Sequence, residues 1–268
     1  GEVRPELAIR SMLKYLKEKI PDWRIESSDA WIYISSNENV FLVYRFINGK
    51  TLQSNLNMDL VEQIFQKYPD IQIANQIRAQ DAVLEIVGGL EDSKFDSFIV
   101  SAKAKEKIFR IDFEHLGKVP ENKNEFIIGL LNGAQPGFST NPSLNNQAFV
   151  DTLMQEALKV GSINDRDLYQ SAIEWLRKAG YKGEQLGMKL DYLVMNRKNL
   201  KFYLIQRLRW LREDGYLDSS VQIPDMEIPP ELDGFLSRDM NGYVWYLDYN
   251  SDLKMGYWQF AGKDQRLG

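Results

Sequence analysis

Between residues 5 and 20 the chain reads PELAIRSMLKYLKEKI, in which Ile9, Met12, Leu13, Leu16 and Ile20 recur at the three-and-four spacing of one helical face. Pro5 fits a first turn, where the missing N–H costs nothing, and Pro21 stops the pattern, so an amphipathic helix is predicted over 5–20. The pattern then changes. DAWIYIS (29–35) and NVFLVYRFI (39–47) are dense in β-branched and aromatic residues on either side of a turn-like SNEN, which predicts a hairpin. The second of these strands is apolar almost without interruption and is expected to be buried on both faces. Asn48-Gly49 ends it, and helices follow at about 57–67 and 70–87, with Leu60, Ile64, Ile73, Ile77 and Leu84 as their apolar stripes.

Beyond a polar turn at 88–96 the pattern predicts short strands at 97–101 and 107–113, then helices from about 123 to 214. AFVDTLMQEALKV, RDLYQSAIEWLRKAG and KNLKFYLIQRLRWLRED lie in that tract, the last with Leu204, Leu208 and Leu211 on one stripe. The tail differs: a Pro-rich VQIPDMEIPPELDG leads into NGYVWYLDYN and KMGYWQFAG, two aromatic strands around a polar turn. Polar loops at 133–147 and 218–234 are the candidate boundaries. Helix, hairpin, helices, small hairpin, helices and closing strands predict an α+β protein. Its parts divide as 1–52, 53–217 and 218–268.

Composition narrows the possibilities. The chain has 268 residues, 44% of them hydrophobic, enough for a sizeable core. Its 33 Lys and Arg against 38 Asp and Glu give a net charge of −5, which argues against a protein that coats nucleic acid through its overall field. Without cysteine there are no disulfides, thiolate zinc sites or thiol catalysis, and the single His115 excludes a multi-histidine metal site. No apolar run reaches the roughly 20 residues of a membrane-spanning helix, and the chain reads as cytoplasmic.

Two stretches remain. LEDSKFDS (90–97) sets Asp92 and Lys94 in a polar turn before the apolar FIV, and IFRIDFE (108–114) brings Asp112 to the end of another apolar run. With the elements that precede them, they resemble the larger lobe of the protein-kinase-like superfamily, which includes protein kinases and the aminoglycoside and choline phosphotransferases. LVYRFINGKTL (42–52) is similar to that family's hinge, LEDSKFDS with FIV to its catalytic loop, and IDFE to its Asp-Phe-Gly. The resemblance implies a mainly helical large lobe, a reduced β-containing small lobe and, beyond them, an aromatic hairpin. It implies that Asp92 orients the substrate hydroxyl proton and that Lys94 neutralises charge on the transferred phosphoryl. Asp112 and Ser97, with Asp96 beside them, would hold Mg²⁺ on the phosphates of ATP. Arg45 and Phe46 of the hinge-like strand, and Glu6 as the match to the glutamate that pairs with the family's phosphate-binding lysine, are the implied nucleotide contacts.

The departures from the family pattern point away from turnover. Leu90 and Glu91 stand where the family has His-Arg, Ser97 replaces Asn, and Glu114 replaces Gly. The residues ahead of Pro5 carry neither a glycine-rich phosphate loop nor a lysine-bearing strand. Losing these parts together strips most of the charge stabilisation from phosphoryl transfer. The expected reading is therefore a pseudokinase that acts through a protein partner and needs no cofactor. One alternative is an active phosphotransferase using ATP and Mg²⁺, its small lobe completed by a partner chain or by the tail hairpin, with Lys263 as the stand-in cation. A second is an unrelated α+β interaction domain. LRWLREDGYLDS (208–219) ends like a winged helix, although the acidic charge speaks against DNA. His115 and the basic run Arg197, Lys198, Lys201, Arg207, Arg209 and Arg212 read as surface features, the run being the solvated face of a helix.

Overall fold

A computed structural model describes residues 3–52, 58–89, 98–101, 107–111, 113, 137–225, 236–238, 243–250 and 255–263. Helix α1 (Val3–Lys19) buries the stripe its spacing predicts, with Ile9, Met12, Leu13 and Leu16 all in the interior. Glu6 in its first turn and Lys17 and Lys19 in its last suit the helix dipole. Strand β1 (Ile25–Glu26) follows, then the hairpin of β2 (Ala30–Ile34) and β3 (Val40–Tyr44), paired antiparallel from Ala30↔Tyr44 to Ile34↔Val40. The Ser35 N–H donates to Asn39 O at 2.9 Å across the turn, where Glu38 takes a left-handed φ of 59°.

Strand β4 (Gly49–Thr51) opens at a glycine for a steric reason: a Cβ there would sit 2.4 Å from the Val100 carbonyl oxygen. Helices α2 (Leu60–Lys67) and α3 (Ile71–Gly88) are capped by Asp59 and Asp70, whose carboxylates accept from Glu62 N and Gln72 N. Gly89, at φ 62°, ends α3 in a left-handed cap. The strands β5 (Phe98–Ser101) and β6 (Ile108–Arg110) then return to the sheet. Its order is β1-β6-β5-β4, parallel between β1 and β6 and antiparallel elsewhere.

After a 3₁₀ turn (Pro142–Leu144) come α4 (Gln147–Gly161), α5 (Asp165–Lys178), α6 (Gly183–Lys198) and α7 (Leu200–Glu213). Asn146 caps α4 and Asn164 caps α5. Helix α3 lies at the centre and packs on α4, α6 and α7, while α1 packs on α5. Consequently α3 is buried on nearly every side from Ala74 to Gly88, where its sequence predicts only a stripe. One continuous core runs from Ala8 in α1 to Ile223.

The tail strands β7 (Leu236–Arg238), β8 (Tyr243–Asn250) and β9 (Met255–Lys263) form a separate antiparallel sheet, order β7-β8-β9, with β9 against α7. The aromatic hairpin is thus present with a third strand, and among the described residues it pairs with neither of the other sheets. The idea that it adds strands to the β2–β3 region is corrected by this pairing. The molecule is mixed α and β, as its pattern predicts. Among the described residues no helix is long and apolar enough to cross a membrane.

Candidate functional site

Arg10 stands one turn after Glu6 on the inner face of α1, where the four-residue spacing lets their side chains meet. Its Nη2 donates to Glu6 Oε1 at 2.6 Å and to the Ile111 carbonyl at 3.1 Å; Nη1 donates to Ser28 O at 2.8 Å and Ser28 Oγ at 3.1 Å. Both partners of the pair are buried, at 4% and 8% side-chain exposure, so the ion pair sits away from water. Aromatic faces cover the guanidinium: the Tyr44 ring centre is 4.6 Å from Arg10 Cζ and that of Phe113 is 5.2 Å away. Burial, with the Glu6 carboxylate beside it, pushes the Tyr44 hydroxyl up to about 12. One side chain thereby ties together α1, the loop before β2, the end of β3 and the backbone just before Asp112.

A second buried charge group lies behind Phe113. Asp81 and Glu85, four residues apart on α3, receive Arg110 from the end of β6, at 2.7 Å from Nη1 and 3.4 Å from Nη2. All three side chains are 1–2% exposed. Burial pushes Asp81 up to about 6 against the downward pull of Arg110. Arg207 on α7 joins the group, lowered to about 10 by burial while Glu85 opposes that shift. The Phe113 ring centre is 5.8 Å from Arg110 Cζ, so this phenylalanine lies within cation–π reach of both arginines.

Arg78 makes a third buried centre with a structural task. It donates to Asn75 Oδ1, Leu144 O and Asn145 Oδ1 at 3.0, 2.7 and 2.7 Å, with Phe149 3.7 Å beneath it. Burial lowers it to about 9. Its bonds hold the turn that leads into α4.

The hairpin is the opposite kind of surface. Trp31, Tyr33, Ile34, Phe41 and Val43 are 45–63% exposed, and Phe46 just beyond β3 is 87% exposed. Tyr33 and Phe41 face each other across the strands with ring centres 6.3 Å apart. The expectation that β3 is buried on both faces is corrected here. An apolar run predicts burial only if other layers cover it, and among the described residues β2 and β3 pair only with each other.

The implied nucleotide contacts do not converge. Glu6 lies in the interior, bound to Arg10 and hydrogen-bonded with Tyr44. Arg45, next to Tyr44 in the chain, turns outward at 72% exposure and reaches Asp29 Oδ2 at 3.5 Å, and Phe46 is on open surface. Asp92, Lys94, Asp96, Ser97 and Asp112 lie outside the described residues, as does His115. Among the described residues no group of Asp, Glu and His is arranged to hold a metal ion. The basic run is also corrected: Arg197, Arg207 and Arg209 are 4–6% exposed, and Arg197 Nη1 donates to Gly161 O at 2.8 Å. Only Lys198 and Lys201 of that run are fully on the surface.

Arg10 and the Asp81–Glu85 pair escape a reading of motifs, yet each leaves a signal. Arg10 falls on the apolar stripe beside Ile9 and Leu13. Asp81 and Glu85 interrupt the otherwise apolar AQDAVLEIVGG at a four-residue interval, where a solvated stripe would have no room for them. In comparisons with known proteins, no family model and no curated protein matches this chain.

Proposed function

We propose that this chain is a kinase-like domain that acts by binding a protein partner through its β2–β3 hairpin, without phosphoryl transfer. The observation that carries the reading is the hairpin's exposed apolar face, from Trp31 to Phe46. A two-stranded ribbon bearing this much uncovered aromatic and aliphatic surface is costly in water, and such surfaces mark interaction sites. Tyr, Trp and Phe are also the residues that protein interfaces favour.

The order of elements supports the kinase-like part. A helix, a hairpin, a hinge-like turn into β4 and two helices precede the β5–β6 hairpin, and the Ile111 carbonyl and the Phe113 ring beyond it lie against Arg10 of α1. The absence of turnover is supported by Glu6. In a working member of the family the matching carboxylate serves the phosphate-pairing lysine. Here Arg10 already holds it at 2.6 Å inside the core. With Glu6 engaged and Arg45 and Phe46 facing solvent, the described nucleotide-contact candidates do not fit ATP, and no catalytic step is assigned to it.

The test uses the double variant Tyr33→Lys/Phe41→Glu, which replaces a cross-strand ring pair with opposite charges and leaves the register intact. The full chain and the variant are compared as affinity baits in cells of the natural host, beside their urea-unfolding curves. The reading expects a stoichiometric partner that the variant loses while its unfolding midpoint stays the same. A variant that unfolds, or one that keeps the partner, contradicts it.

A further inference from the structure

The outer edge of β3 is an open row of backbone hydrogen-bonding groups. The Arg45 N–H donates to Asp29 O and the Ser35 N–H to Asn39 O, both at 2.9 Å, so the odd-numbered residues from 39 to 45 turn their backbone groups toward β2. Val40, Leu42 and Tyr44 therefore point theirs the other way, and among the described residues no strand receives them. An edge of this kind is ordinarily blunted by a charge, a proline or a bulge. The VFLVY of β3 contains no charge and no proline, and its register with β2 is unbroken from end to end.

The flanks of the strand select its partner. Exposed Glu38 precedes β3 and exposed Arg45 follows it, so a strand laid antiparallel on this edge fits best with a cation near Glu38 and an anion near Arg45. Arg45 is open to such a contact: its own ion pair with Asp29 is long, at 3.5 Å, and Lys14 already holds that carboxylate at 2.8 Å. A second β3 has its charges in the required order. Set about a two-fold axis through Leu42, it places Leu42 opposite the partner's Leu42 and Val40 opposite the partner's Tyr44, which puts all three outward-facing residues in hydrogen-bonded pairs and brings Glu38 near the partner's Arg45. On the opposite face from Leu42, the Tyr33–Phe41 row continues into the partner's Val43 and the partner's Trp31. Eight large apolar residues of the ribbon are 44–87% exposed, on the order of 1,000 Å² of open surface against about 800 Å² per partner in a standard interface.

We infer that β3 is a dimerisation edge: two copies of this chain join through it, about Leu42, into one antiparallel sheet of order β2-β3-β3-β2. The ribbon, marginal as two strands, gains the four strands that an independent sheet needs. The inference rests on the reading of the hairpin as a docking surface, and it names a second copy of the chain as what docks there. It does not rest on the kinase-like reading.

The test is sedimentation equilibrium of the full chain beside Leu42→Pro. The Leu42 N–H points away from β2, so proline there removes a donor from the outer edge and none from the hairpin. The unaltered chain should be a dimer at about 50 μM, and Leu42→Pro should weaken the dimer at least about tenfold. Because the sequence has no cysteine, single introduced cysteines give a second probe. Leu42→Cys, on the axis, should form an intermolecular disulfide under mild oxidation at least about tenfold faster than Ile32→Cys, which faces Leu42 across the hairpin but lies about 14 Å from its symmetry mate, beyond disulfide reach. Where Leu42→Pro does not fold, the two cysteine variants decide. The inference is overturned by a monomer at that concentration, by a folded Leu42→Pro that dimerises like the unaltered chain, or by equal cross-linking of the two cysteine variants. A monomeric chain whose hairpin still captures a different host protein, lost in Tyr33→Lys/Phe41→Glu, overturns this inference alone; a monomer that captures nothing removes the docking reading with it.

Discussion

Arg10 shows how one buried cation can organise a fold's corner. Its two terminal nitrogens donate to four acceptors drawn from α1, the loop before β2 and the segment after β6. Removing one partner of such a pair strands the other charge in the interior, a loss of about 3–5 kcal/mol. Arg10→Met should therefore lower the stability of the chain by that amount in urea unfolding, and Glu6→Gln/Arg10→Met should recover part of it. A loss below about 1 kcal/mol for the single variant would show that the pair is not the anchor described here. Asp81 makes a prediction about pH. Its folded pKa of about 6 lies above the ordinary carboxylate value, so the folded state holds a proton that the unfolded chain has released between about pH 4 and 6. Its contribution is full below that window and is lost as pH rises through about 6. Asp22 and Glu26 work the other way. Their partial burial pushes them upward, but bonds from Lys159 and Gln76 to the first and from Lys107 and Lys17 to the second hold them below the usual range. Their contribution is present at neutral pH and fails below about 4. Stability should thus rise on acidification from pH 7 to about 5 and fall further down, and Asp81→Asn should flatten the rise. An unchanged slope in Asp81→Asn would assign that rise to another group.

Most elements were legible from periodicity, and their environments were not. The stripe of α1 and the caps of α2 and α3 follow from local sequence, because a repeat of three and four or an Asp before a helix acts within a few residues. The hairpin was legible too, down to its turn. Its burial was not, since the same VFLVYRF suits a covered strand or a bare one and the difference lies in which layers cover it. The C-terminal helical arginines failed for the converse reason: a charged stripe reads as solvated until another helix closes over it, as happens to Arg207 and Arg209. Helix α3, central and buried on nearly every side, should be the last element to open. Amide exchange should show α3 protected near the global unfolding limit, with β2 and β3 exchanging through local opening orders of magnitude faster. Equal protection of the hairpin and α3 would mean that something covers the hairpin after all. Gly89 offers a smaller check. An alanine at its left-handed φ should cost about 1 kcal/mol, and a neutral result would mean that the α3 end relaxes.

In the whole molecule these parts form one continuous core, with an exposed ribbon on it and a separate three-stranded tail sheet against α7. The mixed α and β class was legible because helical and strand periods alternate along the chain. The candidate site was legible only in part. Glu6 lies on α1, the helix the apolar spacing predicts, and its partner there, Arg10, is a residue that no motif in the sequence singles out. Arg45 and Phe46 were chosen for their position in a hinge-like string, whereas solvent-facing side chains are what the bare hairpin leaves them. The central claim is that this arrangement binds a partner without handling a nucleotide. It is tested most directly by the melting temperature of the chain with and without 1 mM ATP and Mg²⁺, beside Asp112→Asn, which removes the carboxylate implied for the metal. A site near 10 μM would add about 2.7 kcal/mol at that concentration, a rise of several degrees for a chain of this size, whereas a site much weaker than 1 mM adds almost nothing. The account predicts a shift below about 1 °C in both proteins; a Mg²⁺-dependent rise of several degrees that disappears in Asp112→Asn would contradict it.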